Sequence, residues 1–192
     1  MVRRFFDVLL GRTRPVKSQV EKLFAMSTAQ LTLETSHQLR PAGRAGICFR
    51  PVTSSDFVRM EGELRDLLKL SGRESGSTVE TTTDSYGFQW VTIADDDFDD
   101  LVATVHLVSL TLHDGGFGEQ LLAAVFRFDG PKGPVFWIYN NTRGAYYPFT
   151  PPGGASRARE NATELRLANV MGRELPMEED FERWYPLWGI PV

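Results

Sequence analysis

Two stretches of the chain repeat their apolar residues with a helical period. Phe57, Met60, Leu64, Leu67 and Leu68 fall at i, i+3, i+7, i+10 and i+11 behind the capping candidates Thr53, Ser54 and Ser55, and the pattern stops near Gly72. Phe98, Leu101, Val102, Val105, Val108 and Leu112 follow Asp95 to Asp97 and end at Gly115-Gly116. Each helix is preceded by an extended pattern. Gly46-Ile47-Cys48-Phe49-Arg50 reads as a strand after a Pro41/Gly43 turn, and Thr78 to Thr83 is β-branched. Asp84 to Gly87 then turns the chain into a strand marked by Phe88, Trp90 and Ile93. From Gln120 the pattern changes to consecutive strands, Leu121 to Phe128, Val135 to Tyr139 and Ala145 to Phe149, with turns at Gly130 to Pro134 and Asn140 to Gly144. Val135 to Tyr139 is apolar on both faces, which predicts a central strand.

The ends are less regular. Val16, Val20, Leu23 and Phe24 predict a helix to about Met26, and Leu31, Leu33 and Thr35 alternate as a strand does. Ser71 to Ser77 has the composition of a flexible loop. A helix is expected from about Arg157 to Met171, then a short acidic helix over Glu178 to Arg183. Trp184, Tyr185, Leu187 and Trp188 argue that the tail is clamped to the body.

The sum is an α+β fold: a mostly antiparallel mixed sheet of about seven strands, with four or five helices packed on it. Residues 46–70 and 87–111 align without gaps at an offset of 41, pairing Ile47 with Phe88, Phe49 with Trp90, Phe57 with Phe98 and Leu64 with Val105. Any strand–cap–helix unit gives a similar pattern, so an internal duplication is one of two readings. The expected organisation is a basic amphipathic leader over 1–15 and a single domain over 16–192.

Charge sharpens that division. Residues 1–50 carry nine basic and three acidic side chains, a net +6, while the whole chain is −4, so residues 51–192 carry −10. Such asymmetry points to an anionic partner for the front, or to attraction between the two ends. Within the leader, Arg3, Arg4, Arg12 and Arg14 interleave with Phe5, Phe6, Leu9 and Leu10. Asp7 splits the apolar stretch and no cleavage site follows, unlike a signal peptide. A basic amphipathic segment lies on an anionic membrane, in a partner's groove, or with its phenylalanines on its own core. No stretch approaches the ~20 apolar residues of a membrane span. The lone Cys48 excludes an internal disulfide and suggests a reducing compartment.

Candidate chemistry is sparse. His106 and His113 are seven residues apart on one helix, hence ~10.5 Å along its axis and too far for one metal to bridge. His37 stands alone. Asp95, Asp96, Asp97, Asp99 and Asp100 would suit magnesium or calcium by type, yet carboxylates at a helix start also satisfy free amides. No metal site and no cofactor is expected. Cys48 reads as a buried, inert thiol, and no nucleophile motif occurs. There is no phosphate-binding glycine loop at a strand–helix junction and no nucleic-acid motif. The remaining candidate is a ligand pocket around Tyr86, Arg143, Tyr146 and Tyr147, in which an arginine flanked by tyrosines would recognise a carboxylate or phosphate.

The chain nevertheless resembles the PspA-associated PspAB family of actinobacteria and archaea. The likeness rests on Arg4-Phe5-Phe6-Asp7-Val8-Leu9-Leu10-Gly11-Arg12-Thr13-Arg14-Pro15 and Gly43-Arg44-Ala45-Gly46-Ile47-Cys48-Phe49-Arg50-Pro51. It continues in Asp84-Ser85-Tyr86-Gly87-Phe88, Gly116-Phe117-Gly118, Arg143-Gly144 with Tyr147-Pro148-Phe149, and Glu174-Leu175-Pro176 ahead of Trp184-Tyr185-Pro186-Leu187-Trp188-Gly189. The resemblance implies an accessory role beside PspA, a coiled-coil protein that coats stressed membranes, or beside a stress-response membrane protease. It supplies no catalytic residues.

The expectation is a non-enzymatic cytoplasmic adaptor of the phage-shock envelope-stress response, docking on a partner protein or on an anionic membrane surface at the inner face of the membrane. Its docking residues would be Arg3, Arg4, Phe5, Phe6, Leu9, Leu10, Arg12 and Arg14. The alternative is a small-ligand or metal-dependent enzyme using the acidic cluster or the Tyr/Arg pocket.

Overall fold

Alternating strand side chains divide a sheet into two faces, and this chain covers its two faces by different means. The computed structural model describes residues 20–152 and 158–192; the leader lies outside them. Six strands form one sheet: β1 (Arg40–Phe49), β2 (Thr78–Thr83), β3 (Gln89–Ala94), β4 (Leu121–Gly130), β5 (Gly133–Asn140) and β6 (Ala145–Phe149). Their order is β2-β3-β1-β4-β5-β6, and every pairing is antiparallel. The helices are α1 (Ala25–His37), α2 (Ser55–Ser75), α3 (Phe98–Asp114) and α4 (Asn161–Met171). The class is α+β, as the periodicities require, with six strands among the described residues against the expected seven or so.

One face is covered by helices. Ala45, Ile47, Phe49, Val91, Ile93, Phe126, Phe128 and Trp137 meet Met26, Ala29 and Leu33 of α1, Phe57, Met60, Leu64 and Leu68 of α2, and Leu101, Val105, Val108 and Leu112 of α3. Burial of each Val, Leu, Ile, Phe or Met side chain among them contributes roughly 1.5–3 kcal/mol before entropy. The opposite face, with Cys48, Trp90, Val125, Phe136, Ile138, Tyr147 and Phe149, is covered by the irregular tail through Trp184, Leu187, Trp188, Ile190 and Val192. The tail is clamped, as its aromatics suggested. Its expected acidic helix shrinks to a single turn, Phe181–Arg183.

Four local expectations give way. Leu31 is 67% exposed whereas Met26, Ala29 and Leu33 are fully buried, so the stretch is read at i, i+3 and i+7 and forms α1 rather than a strand. Gln38 closes it in the left-handed region at φ 57°. Pro41 and Gly43 lie inside β1, not in a turn before it. The β1–β4 register shifts between Pro41 and Ala45, and Gly43 takes φ +64° where a Cβ would stand 2.9 Å from the Asp95 carbonyl oxygen. Most of the flexible loop expected over Ser71 to Ser77 is instead the last turn of α2, which runs to Ser75 and is closed by Gly76 at φ 86°. Val135 to Tyr139 is buried on both faces, but lies one strand in from the β6 edge rather than at the centre.

The offset of 41 holds for the helices and not for the strands. Phe57 and Phe98, like Leu64 and Val105, are buried counterparts in the helical layer. Phe49 faces that layer while its counterpart Trp90 faces the tail, because an odd offset in the strand pairing changes the pleat.

Candidate functional site

The acidic stretch is built into the start of α3. Asp97 caps the helix, accepting from the amides of Asp99 and Asp100 at 2.9 and 3.3 Å. Asp95 accepts from the Asp97 amide at 2.8 Å and from the Ser77 hydroxyl, which ties the end of α2 to β3. Desolvation, then repulsion from Asp97, Asp95 and Asp99, raises the Asp100 carboxyl above its ordinary range. Among the described residues, no three His, Cys, Asp or Glu side chains are grouped to hold a metal.

Tyr86, Arg143, Tyr146 and Tyr147 are not brought together. Tyr86 is 62% exposed in the β2–β3 turn, and Arg143 is in the β5–β6 turn, four strand spacings or roughly 19 Å across the sheet. Tyr146 and Tyr147, as neighbours on β6, point to opposite faces. Tyr146 is fully buried and donates to the Leu23 carbonyl at 2.6 Å; Tyr147 donates to the Tyr185 carbonyl at 3.0 Å. Burial pushes both phenols up. Arg143 Nε donates to Glu178 Oε2 at 3.0 Å, and that carboxylate is only 5% exposed.

The docking residues Arg3, Arg4, Phe5, Phe6, Leu9, Leu10, Arg12 and Arg14 lie outside the described residues. The chain that follows them is anchored at β6. Val20 and Leu23 are buried, Leu23 is held by Tyr146, and Lys22 Nζ donates to the Gly144 carbonyl at 3.5 Å. Beside this anchor, Lys22, Arg143, Glu178, Glu179 and Asp180 line a cleft of about 430 Å³.

Other candidate groups serve the interior. Cys48 is buried, and desolvation followed by the charge of Asp84 pushes its thiol up to about 12. His106 packs on Phe24 with ring centroids 4.2 Å apart, and burial, opposed by Glu21, lowers its pKa.

Two features had no signal in the sequence. The first is a buried ion pair at the β6 edge. Glu164 is 1% exposed and accepts from the Thr150 amide at 2.8 Å, while Arg159 Nε donates to its other oxygen at 2.8 Å and Arg159 Nη1 donates to the Trp184 carbonyl. The second is a cleft of about 880 Å³ between α2 and β2, lined by Glu61, Arg65, Lys69, Thr81, Thr83 and Gln89. The Oε1 of Gln89 is shielded there without a hydrogen-bond donor.

No helix among the described residues is long and apolar enough to cross a membrane. No curated protein and no solved structure matches the chain. A family model described as PspA associated protein B matches residues 3–192, essentially the whole length, and the chain therefore belongs to the PspA associated protein B family.

Proposed function

We propose that the chain is a non-enzymatic accessory protein of the PspA envelope-stress response, working in the cytoplasm and docking on a PspA-like protein through its basic leader. The observation that carries this reading is the reach of the family match. It begins at residue 3, so the leader and the body belong to one family pattern, and the family's name gives association with PspA. The charge pattern supports it: the leader's Arg3, Arg4, Arg12 and Arg14 suit an acidic partner surface. So does the body, where the conspicuous carboxylates act structurally: Asp97 caps α3, Glu164 holds Arg159, and Glu178 holds Arg143.

The test is capture of a purified PspA-like protein by the full-length chain and by its R3E/R4E/R12E/R14E variant. Capture by the first and loss of capture by the second is the expected result. Equal capture by both would remove the leader from the mechanism. Flotation with phosphatidylglycerol vesicles, run with the same pair of proteins, reads the anionic membrane surface as the alternative target.

A further inference from the structure

We propose that β2 is a pairing edge for a second copy of this chain, joined antiparallel about a two-fold axis through Thr81. The inference goes beyond PspA docking and involves a different part of the molecule.

The pairing parity follows from the β2–β3 turn. The Asp84 amide donates to the Phe88 carbonyl at 2.9 Å, which makes 84 and 88 a hydrogen-bonded pair. The β2–β3 register runs without a bulge from Thr78↔Ala94 to Thr83↔Gln89. Hydrogen-bonded and non-bonded pairs alternate in an antiparallel ladder, so Thr78, Glu80 and Thr82 bond to β3. The amides and carbonyls of Val79, Thr81 and Thr83 point outward, and among the described residues they meet no partner. Natural edges are blunted by lysine, proline, bulges or covering loops. Of these, β2 has no lysine, proline or bulge, and its residues are β-branched except for Glu80.

A second copy fits this edge because the edge is complementary to itself. With Thr81 opposite Thr81, Val79 lies opposite Thr83, and each such pair exchanges its outward amide and carbonyl. Glu80 then faces Thr82 rather than another Glu80, so no like charges stand directly opposite. The helix above the edge repeats the match. Gly72 lies against Ser77 and Val79, and Arg65 lines the same small hollow as Thr81. Rises of about 1.5 Å per helical residue and 3.3 Å per strand residue agree with that level. Glu61 and Lys69 lie one helical step to either side of Arg65 on the cleft wall. The dyad therefore sets Glu61 of one copy level with Lys69 of the other. Lys69 Nζ is 3.6 Å from Asp66 on its own helix, an exposed pair that can yield. A pairing this small belongs to the transient class of interfaces.

The experiment uses the full-length chain and two single-cysteine additions. Cys48 is buried and its thiol pushed up to about 12, so it stays silent to mild oxidation. T81C places its sulfur at the dyad. S85C, exposed in the turn, lies roughly 26 Å from its own symmetry mate in this register. The expected results are concentration-dependent dimerisation by sedimentation, weakened about tenfold or more by T81K, and disulfide-linked dimer from T81C but not S85C. E61K and K69E should each weaken the dimer, and the double swap should restore it. A chain monomeric at all concentrations, equal cross-linking of T81C and S85C, or an edge that pairs only with a strand of another protein would each overturn the proposal.

Discussion

The two edges of the sheet are treated in opposite ways. At β6 the Tyr146 amide donates to the Pro176 carbonyl at 2.7 Å, the Glu178 amide donates back to Tyr146 at 2.9 Å, and the Thr150 amide is taken by Glu164. α4 straddles this edge, with Leu167 and Met171 on the helical side and Ala168 on the tail side. At β2 the outward groups of Val79, Thr81 and Thr83 are left to solvent. Closing the first edge requires a carboxylate buried to 1% exposure and a guanidinium beside it, a costly arrangement that holds only when every charge is paired. The second has no such device. The difference teaches that the chain seals one end of its ladder with its own segments and leaves the other end available.

The most damaging way to break this contrast is Glu164→Ala. It strips Arg159 of its counterion and the Thr150 amide of its acceptor, and should lower stability by roughly 3–5 kcal/mol, read as the midpoint of chemical denaturation. An unchanged midpoint would mean that backbone pairing alone closes the β6 edge. Next comes Tyr146→Phe, which removes the phenol's bond to the Leu23 carbonyl and leaves that carbonyl the Ala25 amide; it should cost about 0.5–1.5 kcal/mol by the same measurement.

A smaller effect is expected at the open edge, where Asp84 fastens the β2–β3 hairpin. Its Oδ2 accepts from the Trp90 indole at 3.0 Å, and its Oδ1 from the amides of Phe88 and Tyr86. Against a desolvation penalty, these bonds hold the Asp84 carboxyl below its ordinary range. The folded pKa is thus below the unfolded one, about 3.9. The stabilisation is present above that unfolded value and is lost as pH falls through the folded one. Acid titration of the Trp90 indole resonance should show the loss, and Asp84→Asn should abolish the pH dependence. The gentlest test perturbs nothing. Amide exchange should alternate along β2, slow at Thr78, Glu80 and Thr82 and fast at Val79, Thr81 and Thr83. Uniform protection in dilute protein would contradict the assigned pairing parity.

Elements whose partners are near in sequence were legible. α2 and α3 showed their period and caps, α3 also showed its stop, and the β4–β5–β6 meander showed its turns. The role of Asp97 was also readable, since a carboxylate at a helix start has a local reason to be there. α1 was misread because Leu31 is exposed, so the apparent alternation counted a residue that takes no part in packing. Tyr146 and Tyr147 carried a warning, for neighbours in a strand cannot line one pocket. The closed edge was not legible at all. Thr150 with Glu164, Tyr146 with Pro176, and Arg159 with Trp184 are joined by the fold, and no periodicity records such pairs. The leader and its docking residues lie outside the described residues and stand as a proposal.

The tail that roofs the second face also sets an order of events during synthesis. Phe136, Ile138, Val125 and Trp90 are all made before Trp184 to Val192, and Val192 comes to rest against Gly46 and Trp90. On a ribosome adding residues from the front, the first strands and the helical layer can assemble while this greasy wall still faces water. Completion waits until Trp184 to Val192 have left the exit tunnel, and until then the nascent chain exposes apolar surface of the kind that invites aggregation.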